Sequence, residues 1–117
     1  MSKQIPKRVR ADLRERAQEC CEICGAPHAT NAHHRRNQSQ GGLDVLSNLM
    51  LACGSGTTGC HGKITANPDW AAEMGYTVKG KVIEPADVEV WRFDITQGVR
   101  VLVKLTDDGE IIPQAAA

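Results

Sequence analysis

Aromatic side chains are scarce in this chain: one Phe, one Tyr and two Trp among 117 residues. Rings cannot supply most of the core, so Val, Ile, Leu and Ala must do the burying, and a domain of this size gains from a metal or disulfides. Long apolar runs are missing too. No stretch approaches the roughly 18 residues that span a bilayer, and "MSKQIPKRVR" lacks the hydrophobic middle of a secretory signal. The expectation is a cytoplasmic protein. Repeats and low-complexity segments are also lacking, so the chain reads as one continuous domain over 1–117.

Net charge is zero, but the zero is a sum of unlike halves. Residues 1–64 hold nine Lys or Arg against five Asp or Glu, a net of +4, and the remainder carries −4. A basic half that also holds the histidines and cysteines suits a polyanion such as nucleic acid, the acidic half facing away. Two solvated faces of opposite sign are the plainer alternative.

Val9, Leu13, Ala17 and Cys20 recur at three or four residues, which predicts a helix from Pro6 to Cys20 with Arg8, Arg10, Arg14 and Arg16 outside its apolar stripe. "CEICGAP" is a tight turn, followed by a short extended piece through His34, and "NQSQGG" is a loop. "LSNLMLAC" reads as the return strand and "GSGTTG" as a tight loop, with a short helix beginning near Cys60. In "ANPDWAAEMG", Asn67 suits a helix N-cap, Pro68 a first helical residue and Gly75 a stop. "YTVKGKVI", "VEVWRFD" and "RVLVKL" read as strands with "DDG" as a turn, and "PQAAA" as a frayed tail. Helix, hairpin, two helices and then strands make the class α+β.

Cysteine is the strongest local signal. Cys21 and Cys24 form C-x2-C, and after 28 residues Cys53 and Cys60 form C-x6-C. Four thiolates in two pairs are what tetrahedral zinc requires, and backbone amides in each turn can point at sulfur. The plain alternatives are buried free thiols or a disulfide; an odd count of five in a reducing compartment favours metal. Cys20 is the spare, read as a packed thiol at the end of the helical stripe. Zinc binding of this type contributes an apparent ~10 to 16 kcal/mol, as much as a whole domain's stability.

His33, His34, Asn48 and His61 thread through the segment those cysteines would clamp, and His61 directly follows Cys60. With "CEICG", "AHHRRNQSQGGLDVLSNLMLAC" and "GCHGKITANP", the chain resembles the HNH endonucleases, also called ββα-metal or His-Me finger nucleases, most closely small zinc-containing bacteriophage versions. The resemblance covers about residues 18–76; a strand-rich extension of about 77–112 matches nothing of use. The implied fold is a ββα-metal, treble-clef-like core stapled by a four-cysteine zinc, with an N-terminal helix and a C-terminal β-rich extension.

The resemblance implies roles residue by residue. His33 and His61 would ligate one catalytic divalent cation, His34 would be the general base, and Asn48 would hold the intervening loop by side-chain hydrogen bonds to backbone. Many relatives carry a further histidine one helical turn after the position of His61; here it is Thr65. A site with fewer protein ligands favours Mg2+ or Mn2+, with Ni2+ or Zn2+ as alternatives. Hydrolysing a phosphodiester needs a base that works near neutrality, which imidazole provides, and charge compensation on the phosphate, which a cation provides. In-line attack puts these on opposite sides of the phosphorus. Adjacent strand side chains that diverge suit that division, provided the pleat breaks near His34 so that both rings border one cleft.

Arg35, Arg36 and Lys63 are expected to approach flanking phosphates of DNA, with little sequence specificity and strong salt dependence. Their plain alternative is solvated charge. His28 reads as a surface residue, and Trp70 and Trp91 as core or interface. The function expected is a DNA endonuclease, nicking or cutting both strands; the resemblance implies that it leaves 5′-phosphate and 3′-hydroxyl ends. Two rivals stand beside it: a zinc-stapled nucleic-acid-binding module without activity, and a packaging-accessory protein, since phage relatives often work beside the terminase and the acidic C-terminal third could dock such a partner.

Overall fold

Leu13 and Ala17 point inward from the first helix, α1 (Lys7–Ala17), with Val9 partly covered beside them. The computed structural model describes residues 4–114 of the chain. Pro6 precedes the first turn, as its fixed φ allows. α1 stops three residues short of Cys20: Gln18 turns left-handed at φ 54, and the Gln18 and Glu19 amides donate back to Glu15 and Arg14. The chain must turn there to present Cys21, and Cys20, half-buried, bridges to Pro27 outside the helix.

β1 (Asn31–His34) pairs antiparallel with β2 (Leu49–Ala52), with His33 opposite Met50 and His34 opposite Leu49. The return strand is shorter than its apolar run suggests, because Leu46–Asn48 winds into a 3-10 turn before it. β2 is buried along its whole length, between α1 and α2 (Gly59–Ala66). α3 (Pro68–Met74) follows, ended by left-handed Gly75. Asn67 does not cap it. Its side chain donates instead to the Lys63 carbonyl at 2.9 Å, closing the end of α2.

The last third forms one antiparallel sheet in the order β3 (Val90–Asp94), β4 (Val99–Leu105), β5 (Ile111–Pro113). Its inner face adds Val90, Val103 and Leu105 to the core. Two expectations fail here. "YTVKGKVI" is not a strand: Gly80 is left-handed, and Val82 and Ile83 lie exposed. The carbonyls that a ladder would use at Ile83 and Pro85 accept instead from the Arg36 and Arg35 guanidinium groups. Conversely, Ile111–Pro113 pairs with Val103–Leu105, so "PQAAA" begins inside a strand; its Ala115–Ala117 lie outside the described residues. Among the described residues, no helix is long and apolar enough to cross a membrane.

A buried carboxylate ties these parts together. Glu22 accepts from Arg16 on α1 (2.8 and 3.0 Å), from Arg92 on β3 (2.6 Å) and from the Leu51 amide of β2 (2.9 Å). Burial alone raises its pKa, but the two guanidinium groups outweigh that and hold it below the usual carboxylate value. Arg16 also donates to the Leu46 and Leu49 carbonyls. It is therefore an interior residue rather than part of a basic outer face.

Candidate functional site

The four sulfurs of Cys21, Cys24, Cys53 and Cys60 lie within 4.8 Å of one another. The Cys24 and Cys53 sulfurs are 3.7 Å apart, close to the edge of about 3.8 Å that zinc–sulfur bonds of about 2.3 Å give a tetrahedron. Amides of Ile23 and Cys24 point at the Cys21 sulfur, and that of Cys60 at the Cys53 sulfur, each at 3.4 Å. The long second spacing resolves into a short knuckle. Ser55 N–H donates to the Thr58 carbonyl, so residues 55–58 form a self-closed excursion, and Gly54 and Gly59 meet beneath it. A side chain at left-handed Gly54 would run into the Thr58 backbone. The thiols cannot all ionise unaided: burial and the charge on Cys21 push Cys60 up. A dication relieves that crowding, so this donor set fits zinc.

His33 and His61 meet edge to face, ring centroids 5.5 Å apart. β1 supplies His33 and the first turn of α2 supplies His61, whose own amide donates to the Cys53 carbonyl at 3.1 Å. His33 Nε2 lies 2.6 Å from the Tyr76 carbonyl. A carbonyl only accepts, so Nε2 carries the proton and Nδ1 keeps a free lone pair. Burial pushes His33 down to about 4, with the Tyr76 bond opposing it, so the ring is neutral at neutral pH. His61 Nδ1 is buried without any hydrogen-bond partner. An orphaned nitrogen beside a neutral imidazole is a donor set that fits a divalent cation.

His34, next along β1 and so on the opposite side of the pleat, turns its Nε2 to Asp44 Oδ1 at 2.7 Å. Asn48 bonds the loop between them on both sides. Its Oδ1 accepts from the Arg36 amide at 2.7 Å, and its Nδ2 donates to the carbonyls of Arg36 (3.1 Å) and Leu43 (2.9 Å). The side chain thus stands in for a ladder partner where β1 ends. Gly42 is tucked against the Arg36 carbonyl, where a Cβ would not fit.

Residues 21–67 match the family model of the HNH endonucleases. This segment is an HNH domain. No curated protein and no solved structure matched the chain. An HNH domain points to a nuclease or nucleic-acid-binding function.

Within the HNH segment, two arginines expected at DNA are placed otherwise. Arg35 is 1% exposed and donates to four backbone carbonyls: Gly75 (2.8 Å), Ser47 (2.8 Å), Pro85 (2.9 Å) and Val88 (2.9 Å). Burial draws its guanidinium down to about 10, still charged at neutral pH. Four of its five N–H groups are thus taken by backbone oxygens rather than offered to a phosphate. Arg36 is likewise buried and bonded to Ile83, with Nε unpartnered. The reason is common to both: past His34 the chain dives under 75–88, whose free carbonyls need donors. Lys63 stays exposed, its ammonium 4.3 Å from the centre of the Trp70 ring.

Thr65 turns away from ligand chemistry, its hydroxyl donating to the His61 carbonyl at 3.2 Å. His28 is exposed, in a left-handed turn at φ 62. Trp70 packs edge to face on Tyr76, and Trp91 is 38% exposed on the outer side of β3. Two participants were not singled out from sequence: Asp44, and the Tyr76 carbonyl beyond the HNH segment. For Asp44 a signal existed, an acid in the short stretch between the GG turn and Asn48. A backbone carbonyl leaves none.

Proposed function

We propose that the chain is a metal-dependent DNA endonuclease that hydrolyses phosphodiesters with low sequence specificity. The observation that carries this is the His33–His61 pair, with a buried Nδ1 of His61 that has no hydrogen-bond partner, inside an HNH segment. His33 and His61 would hold the ion, Mg2+ or Mn2+ because so few protein ligands leave the remaining positions to water oxygens. When bound, that ion supplies Lewis-acid polarisation of a phosphate oxygen and of the leaving 3′ oxygen. His34 takes the proton of the attacking water, a contribution of typically 10²- to 10⁴-fold. Asn48 keeps the loop folded so that His34 stays aimed. Lys63 contacts a flanking phosphate as a point charge. Cys21, Cys24, Cys53 and Cys60 would hold structural zinc as one staple of the single domain. A bacteriophage origin, a role beside the terminase and a cytoplasmic location draw their support from the resemblance and from the free thiols.

A second reading, nucleic-acid binding without cleavage, is favoured by Thr65 at the place of a further ligand. Plasmid nicking with added Mg2+, Mn2+ or Ni2+ separates the two. The wild type should nick, His34→Ala should keep its zinc and its fold but lose at least about 10²-fold in rate, and Cys24→Ala should unfold. A wild type that binds plasmid but never cuts it, or a His34→Ala variant that cuts as fast, would leave the binding module as the better description.

A further inference from the structure

The geometry points to Asp44 as the positioning residue of His34: its carboxylate holds the ring in the Nε2–H tautomer and leaves Nδ1 as the atom that receives the proton. The inference rests on the nuclease reading and deepens it.

The contact is a built one. His34 Nε2 and Asp44 Oδ1 are 2.7 Å apart, and each side chain keeps only 18% of its surface exposed. A carboxylate accepts and cannot donate, so the ring nitrogen facing it must carry hydrogen. In a neutral ring the other nitrogen is then the free base. Two further groups place the carboxylate. Asn48 Nδ2 fixes the Leu43 carbonyl, one residue before Asp44, and Gln38 Nε2 donates to the same Oδ1 at 3.3 Å. The loop also closes on itself through the Gly42 amide and the Asn37 carbonyl at 2.9 Å. Asn48 therefore acts on His34 at two points: at Arg36, two residues along the chain, and at the residue that delivers the acid.

The tautomer also divides the labour of the two neighbouring rings. His33 is locked Nε2–H by a carbonyl and His34 Nε2–H by a carboxylate. Each leaves Nδ1 without a hydrogen in its neutral form, one for a ligand and the other for a base, on opposite sides of the pleat. A carbonyl, a neutral dipole, supports its ring only weakly when charge develops, whereas a carboxylate stabilises an imidazolium more strongly once the proton has arrived. The acid thus stands beside the ring that must accept a proton.

The test uses the full zinc-loaded chain with 15N-labelled histidine, His34 being assigned by comparison with His34→Gln. The neutral form of its ring should be the Nε2–H tautomer. Asp44→Ala should mix the tautomers, lower kcat for plasmid nicking about 10²-fold and leave KM within about twofold. Should that variant fail to fold, Asp44→Asn preserves the shape. Its rate should fall in proportion to whatever fraction of the ring leaves the Nε2–H form. A neutral wild-type ring in the Nδ1–H form would overturn the assignment. So would a ring unchanged in Asp44→Ala, or a changed ring that cuts at the normal rate. A wild type that cuts no plasmid would sink the nuclease reading and, with it, the kinetic half of this inference. The nitrogen spectra decide the hydrogen bond either way.

Discussion

Residues 22–48 and the C-terminal sheet keep their shape by opposite means. The buried polar or charged residues among the described ones, Glu22, His33, Arg35, Arg36, Ser47 and Asn48, fall in the first region, and the buried Arg16 side chain reaches into it from α1. The sheet contributes Val90, Val103 and Leu105 to the core and no buried charge. The first has one four-residue strand and long irregular loops; the second has a regular ladder with a seven-residue central strand. Irregular backbone leaves carbonyls and amides that no ladder satisfies, and buried ones cost about 1 to 3 kcal/mol each when unpaired. Guanidinium forks and amide side chains supply those partners, and a four-thiol centre would pin the ends. The lesson is that a site needing awkward backbone near its chemistry is built from polar cross-links, with the irregular 75–88 segment supplying spare carbonyls and an ordinary sheet next to it supplying cover.

The hardest way to break that contrast is to chelate the metal. Stripping zinc from the loaded chain should unfold the HNH segment outright, since an apparent ~10 to 16 kcal/mol rides on such a site. Circular dichroism with metal titration back to one equivalent would show the loss and its reversal; an apo chain with unchanged spectrum and melting would count against a staple. Next comes Arg35→Met, which strands the carbonyls of Gly75, Ser47, Pro85 and Val88. Urea unfolding should show at least about 3 kcal/mol lost, and nicking should fall as well because Arg35 follows His34. Were Arg35 a phosphate contact instead, the loss would appear in plasmid binding with stability intact.

Val103→Ala probes the other region. It should cost about 2 kcal/mol by lost burial and a small cavity, yet leave nicking unchanged well below the melting temperature. A selective loss of activity there would mean the sheet shapes the site more directly than its contacts suggest. The smallest effect belongs to the β3–β4 turn. Asp94 accepts from the Thr96 and Gln97 amides at 2.8 and 3.1 Å, and these bonds, Gln97's first, hold its pKa below the usual carboxylate value. A depressed value means the contribution is complete above the unfolded-state pKa and fades as pH falls through the folded one. The stability gap between wild type and Asp94→Ala should therefore be constant at neutral pH and close in acid, as read by denaturation at several pH values.

Much of this was legible in the chain itself. The cysteine spacing, the stop at Gly75 and the set His33, His34, Asn48 and His61 each follow from local chemistry or a short motif. Arg35 shows what was not. Its charge beside Arg36 reads as surface, because nothing nearby reveals that carbonyls from residues 75, 85 and 88 will arrive around it. The apolar run through Ile83 failed for the same reason: those carbonyls were taken by arginines some fifty residues back, Ile83 by Arg36 (47 residues) and Pro85 by Arg35 (50 residues).

The sequence alone determined which residues can bind metal, where the turns fall and which strands have an apolar face, since these depend on side-chain chemistry and near-neighbour spacing. Tertiary structure decided which charges are buried, which acid meets His34 and which carbonyl meets His33. Those pairings join positions ten to about fifty residues apart, and no local rule records who will supply the missing donor or acceptor once the backbone has closed.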